Sequence, residues 1–170
     1  MSAFKAAQVH YEGLQNEATV AARTSLRAAG ISLDVMRFNR RAFEALTDQW
    51  RDRRVDWDWH EICRKNRGPK SYCIAIWADA DCLAGLSLMT VSGEAVTVRY
   101  LEGDPRPDCP IKGLRALVAL EVATNYAQIC GLYEVRIQPL NEALASLYEN
   151  VYGFELVKRT KECPYYRKRI

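Results

Sequence analysis

The chain has no Cys-x-x-Cys pair: its six cysteines, Cys63, Cys73, Cys82, Cys109, Cys130 and Cys163, are scattered. That scatter argues against a zinc ribbon or a dithiol redox centre. Cysteines inside apolar patterns behave as small hydrophobes, so buried free thiols in a reducing compartment are expected. Only two histidines occur, His10 and His60, and neither has cysteine or carboxylate neighbours at metal-ligand spacing, so no metal is assigned. No apolar run approaches the ~18 residues of a membrane span, and Ser2-Ala3-Phe4-Lys5-Ala6 lacks the basic start and apolar run of a secretory signal. A cytoplasmic protein with no membrane partner is the expectation. Net charge is also low, +3 over 170 residues with a pI near 8.5, which fits a small anionic ligand and does not demand nucleic acid. No internal repeat or low-complexity linker divides the chain.

Against these absences stand 49% apolar and 26% charged residues, the balance of one folded domain. A chain of this size buries roughly two-thirds of its unfolded surface. A long helix is predicted from Ser2 to Ala29, stopped by Gly30, with Phe4, Ala7, Tyr11, Leu14, Ala18 and Ala21 on one narrow face. That face either lies on the body of its own domain or serves a homodimer contact. Ile31 to Val35 alternates like a strand, and Asn39 can cap a helix bearing Phe43, Leu46 and Trp50. A second short helix after Trp57-Asp-Trp59-His60-Glu61 ends at Gly68-Pro69.

Strands are predicted at Ser71 to Ala78, Leu83 to Thr90 and Ala95 to Leu101, joined by the turns Asp79-Ala80-Asp81 and Ser92-Gly93-Glu94. They read as an antiparallel meander. A proline-rich loop leads into a helix from Gly113 to Ile129, and Gly131 releases the chain into a strand at Tyr133 to Gln138. Strand, helix and strand in that order imply a parallel pair. The fold class expected is α/β, a mixed sheet with helices on its faces.

The most informative segment runs from Asn141 to Phe154. Asn141 can cap a helix on which Ala143, Leu144, Leu147 and Tyr148 recur at helical spacing, and Gly153 can take the left-handed conformation that ends it. The pattern Asn-x-x-Ala-x-x-Leu-Tyr-Glu followed by Gly-Phe-Glu resembles the last sequence block of the GCN5-related N-acetyltransferase family, with one residue more than usual between Tyr148 and Gly153. The order of elements across 31–170 is similar to that family's layout. The resemblance implies an acyl-CoA N-acyltransferase fold over 31–170 with an added N-terminal helical extension over 1–30. It implies transfer of an acetyl group from acetyl-CoA to an amine.

By the same resemblance, Tyr148 corresponds to the general acid that protonates the departing CoA thiolate; a packed helix aromatic is the other account of it. Asn141 corresponds to a contact of the pantetheine arm, besides its capping role. The cofactor phosphates would lie at Lys112, Gly113, Leu114 and Arg115, where a helix start offers free N–H groups. This loop departs from the family pattern in either register: with Gly113 at the first small position, Pro110 stands in place of Arg or Gln and Arg115 in place of a second small residue, and the register that ends at Gly113 begins with Asp108. The strand segment of Val98, Tyr100 and Leu101 would hold the acetyl oxyanion and the pantetheine. Glu102, at the end of that strand, is the candidate general base, with Glu94, Asp104 and Glu61 as competitors.

The segment with Trp57, Trp59, His60 and Glu61 would flank the acceptor, and positions 37–70 carry ten Lys or Arg against six Asp or Glu. An aminoacyl-tRNA is therefore one acceptor class to set beside a small molecule or a protein amine. The alternative function is a catalytically inactive member of the same fold that acts as an interaction module.

Overall fold

The computed structural model describes residues 1–159 and 161–170. The chain opens with helix α1 (Ala3–Ala28), in which the Ser2 hydroxyl accepts the Lys5 N–H. Its end is closed by Gly30 at φ +79°, the Ile31 N–H reaching back to Leu26 O while the Gly30 N–H reaches Arg27 O. Then follow β1 (Asp34–Arg37), α2 (Arg40–Gln49), α3 (Trp59–Lys65), β2 (Ser71–Trp77), β3 (Leu83–Ser92) and β4 (Ala95–Gly103). The chain finishes with α4 (Arg115–Ile129), β5 (Glu134–Ile137), α5 (Glu142–Asn150), β6 (Glu155–Arg159) and β7 (Glu162–Arg169). Asparagine caps α2 and α5 as expected, Asn39 accepting from the Ala42 N–H and Asn141 from the Leu144 N–H; Asp58 caps α3 in the same way.

Among the described residues one seven-stranded sheet holds the strands, in the order β1-β2-β3-β4-β5-β7-β6. Every pairing is antiparallel except β4 with β5, which is parallel. The first strand starts at Asp34 and not at Ile31, because pairing with β2 begins at Asp34↔Trp77. Pleating sends alternate residues to opposite faces. Tyr72, Ile74 and Ile76 of β2 join α1 and α4 in one core, while Ala75 and Trp77 join α2 and α3 in a second.

Helix α1 is part of the first core. Its buried residues are Gln15, Ala18, Thr19, Ala22 and Leu26, whereas Phe4 is 62% exposed. The buried stripe is thus rotated from the one expected, following the 3.6-residue helical period where the proposed seam followed 3.5. Gln15 anchors the contact: its amide donates to Pro69 O, Ser71 O and the Tyr126 hydroxyl, and its carbonyl accepts from Arg37. No helix among the described residues is long and apolar enough to cross a membrane.

Candidate active site

The site grows from an irregularity in β4. Leu88 of β3 faces Tyr100 and Met89 faces Val98, so Arg99 is an extra residue, a β-bulge. The parallel ladder between β4 and β5 ends one residue earlier, at Val98↔Ile137. From Tyr100 to Gly103, β4 continues to pair with β3 alone, and its other edge opens into a gap beside β5. On the face away from α1 and α4 this gap widens into a cleft of about 450 Å³, lined by Thr97, Arg99, Tyr100, Arg136, Gln138 and Tyr165 among others.

Tyr148 stands on the α1 and α4 side, 2% exposed and packed in the same core as Val98, Ile137 and Val118. Tyr152 and Phe154 flank its ring at 6.3 and 6.1 Å. Gly153 at φ +73° turns the chain so that the Phe154 N–H caps Tyr148 O. Burial pushes the Tyr148 phenol up to about 12, and its hydroxyl makes no hydrogen bond among the described residues. Tyr152, one turn on, is half-buried and shifted upward by burial as well. Leu101 and Leu114 also pack against this core, whereas Tyr100 turns to the other face.

The loop from Gly103 to Leu114 leads to the start of α4. Asp104 is buried, and Arg106 grips both its carboxylate oxygens through Nε and Nη2 while reaching Gln49 and the Cys82 sulfur. Lys112 and Gly113 are exposed, Gly113 at φ +90°. Helix α4 has neither a side-chain cap nor an acidic first turn; its first backward bond runs from the Val118 N–H to Leu114 O. The N–H groups of Arg115, Ala116 and Leu117 therefore precede the helical ladder. Arg115 itself folds back across β4, donating to Asp104 O at 2.6 Å.

Glu102 lies on the opposite face from Tyr148 and is 6% exposed. Its carboxylate is fully engaged: Arg53 donates to both oxygens, at 2.6 Å to Oε2, and the Trp59 indole N–H donates to Oε1 at 2.8 Å. The hydrogen-bonded carboxylate in turn keeps the Arg53 guanidinium charged. Arg53 also bonds Trp57 O, so the loop before α3 is tied to the end of β4. Trp57 meets the ring of Tyr100, a residue that lines the cleft, edge-on at 5.0 Å. Of the competing carboxylates, Asp104 is held by Arg106, Glu61 pairs with Arg64 and Lys65, and Glu94 sits at the β3–β4 turn.

The thiols are free. Cys63 and Cys73 touch at 3.2 Å, and Cys82, Asp104 and Cys109 bring three potential ligand atoms within 4.8 Å of one another. A metal there would have to displace Arg106 from Asp104. Sequence reasoning missed the Arg53–Glu102–Trp59 cluster and the bulge at Arg99. Neither has a local signature, because each is defined by a partner distant in the chain.

No family model matches the chain, and no curated protein sequence matches it. Solved structures do. The ribosomal-protein-S18-alanine N-acetyltransferase of Escherichia coli superposes with a TM-score of 0.61 at 15% identity, covering 82% of this chain and 94% of that one. The PaiA N-acetyltransferase of Thermoplasma acidophilum, solved with coenzyme A, gives 0.57 at 14% identity over 82% and 99%. An acetyltransferase of Bacillus subtilis, also solved with CoA, gives 0.53 at 15% identity over 80% and 96%. The chain has the GCN5-related N-acetyltransferase fold.

Proposed function

On this fold, we propose that the protein is an acetyl-CoA-dependent N-acetyltransferase acting on a primary amine. The observation that carries the reading is the gap that opens beyond Val98↔Ile137, with Tyr148 buried in the adjoining core. Pantetheine would lie in the gap, contacted by Asn141. The cofactor phosphates would meet the backbone N–H groups that begin α4, with Lys112 supplying charge. Fold alone does not establish chemistry, so the reading rests on these residues.

Attack of a neutral amine on the thioester places negative charge on the acetyl oxygen, which the unpaired edge of β4 between Val98 and Leu101 would stabilise through backbone N–H. Collapse breaks the carbon–sulfur bond, and the Tyr148 hydroxyl is the proton donor to the leaving thiolate. A phenol held near 12 stays protonated throughout the neutral range, as a proton donor must. Glu102 serves this reading best as an anchor for Arg53 and Trp59, since both its oxygens are already occupied.

Arg115 at the second small position of the loop favours the other reading, a fold member without catalysis. Calorimetric titration with acetyl-CoA, and with desulfo-CoA as comparator, separates the two. Micromolar one-to-one binding that depends on the pantetheine arm supports the enzyme. No binding at millimolar cofactor overturns it.

A further inference from the structure

The cleft on the far face of β4 carries two cations, Arg99 and Arg136, and among the described residues no carboxylate lines it. Arg136 is compensated: its Nε bonds Glu134, and its guanidinium lies over the Tyr165 ring at 4.9 Å. Arg99 is not. It is exposed, its one partner among the described residues is the neutral Asn66 Oδ1 at 3.3 Å, and it forms no ion pair there.

Arg99 is also the bulged residue, next to the last β4–β5 pair, so an anion held by its guanidinium would lie beside the point where the strands part. An amine arrives in water mostly as an ammonium ion. A plain ammonium entering a cleft whose uncompensated charge, among the described residues, is positive meets repulsion. A carboxylate or phosphate on the same molecule reverses the sign and matches the planar fork of an arginine. A cleft of about 450 Å³ is the size of a small-molecule site.

We propose that the acceptor is a small amine carrying its own oxyanion, a carboxylate or phosphate a few bonds from the nitrogen, and that Arg99 binds that anion. The proposal rests on the acetyltransferase reading. The ammonium loses one proton to solvent and the resulting amine forms the new carbon–nitrogen bond. As the carbon–sulfur bond breaks, the second proton leaves nitrogen for water while the thiolate takes a proton from Tyr148, giving an N-acetyl product and free CoA, and the Tyr148 phenolate regains its proton from water to restore the enzyme.

The test uses the full chain with acetyl-CoA, following thiol release with matched acceptors: amino acids against their carboxamides, and phosphoethanolamine against ethanolamine. The first pair reads a carboxylate and the second a phosphate. The anionic member of at least one pair should be preferred in kcat/KM by about ten- to a hundredfold, the range of a charge-assisted hydrogen bond. Arg99→Gln should shrink that preference toward one, mainly through KM, and Arg99→Lys should restore part of it. Equal use of charged and neutral partners, or a preference untouched by Arg99→Gln, overturns the proposal. So does turnover of an aminoacyl-tRNA or peptide amine without any small acceptor, or no turnover of any acceptor although acetyl-CoA binds. Calorimetry on the same protein identifies which idea has failed. Absent cofactor binding removes the acetyltransferase reading itself, whereas intact binding with indifferent acceptors removes the anionic acceptor and the role of Arg99 and leaves that reading standing.

Discussion

The Arg115 guanidinium occupies the space that a side chain at Gly103 would fill. A Cβ built on Gly103 would lie 2.4 Å from Arg115 Cζ and 2.6 Å from its Nε. Gly103 faces Gly85 across the β3–β4 ladder, and the arginine stem also passes 3.6 Å from a Cβ built there. Two paired glycines thus make a track along which Arg115 runs to Asp104 O. The departure from small residues at the start of α4 is matched by small residues on the strand beneath it.

Gly103→Ala should therefore evict Arg115 and break its bond to Asp104. The obstacle is the end of a flexible side chain, so the expected loss is about 1–2 kcal/mol, near that of one charge-assisted hydrogen bond. In an Arg115→Ala background the same substitution should cost much less. Urea unfolding of the four proteins in this cycle measures the coupling; equal costs in both backgrounds would refute the fit.

Tyr148→Phe should lower kcat by about a hundredfold or more, the usual range of a general acid, without abolishing acetyl-CoA binding. Single-turnover kinetics check it, and an unchanged rate removes Tyr148 as the acid.

Burial pushes the phenols of Tyr72, Tyr126 and Tyr148 above their usual value near 10. The unfolded chain ionises first as pH rises, so the stability these groups confer is complete below about pH 10 and is lost progressively above it, for Tyr148 until about 12. Urea midpoints measured between about pH 8 and pH 11 should fall at the alkaline end. In the Tyr148→Phe protein that fall should be shallower.

Glu102→Gln leaves the Arg53 guanidinium without its counter-charge. A stability loss of roughly 2–3 kcal/mol is expected, together with a partial loss of activity in which the acid limb of the pH–rate profile persists. Disappearance of that limb, with a rate loss of about a hundredfold or more, would identify Glu102 as the base instead.

Gln15→Leu removes the donor shared by Pro69 O, Ser71 O and Tyr126, and the acceptor for Arg37. It should cost about 2–3 kcal/mol in thermal or urea unfolding. Phe4→Ala, at an exposed position on the same helix, should change stability little. A mild Gln15→Leu variant would show that α1 is held by its alanines and Leu26 alone.

Helix caps, glycine stops and short turns were readable in the chain because each is satisfied within a few residues. Asn39 and Asn141 cap to the third residue on, and Gly30 and Gly153 bring the backbone back to within two helical turns, Ile31 to Leu26 and Phe154 to Tyr148. The Asn141–Phe154 block was legible for that reason, as was the three-stranded meander closed by tight turns. The sequence by itself thus determined the elements, their order and the parallel step into β5. Only the tertiary structure decided which face of α1 is buried, where β1 begins, that Arg99 is the bulge, that Arg53 occupies Glu102 from 49 residues away, and that Arg115 lies over Gly103. These are choices of partner across the sheet, settled by packing and by the pairing of buried charge, and neighbouring residues carry no local mark of them.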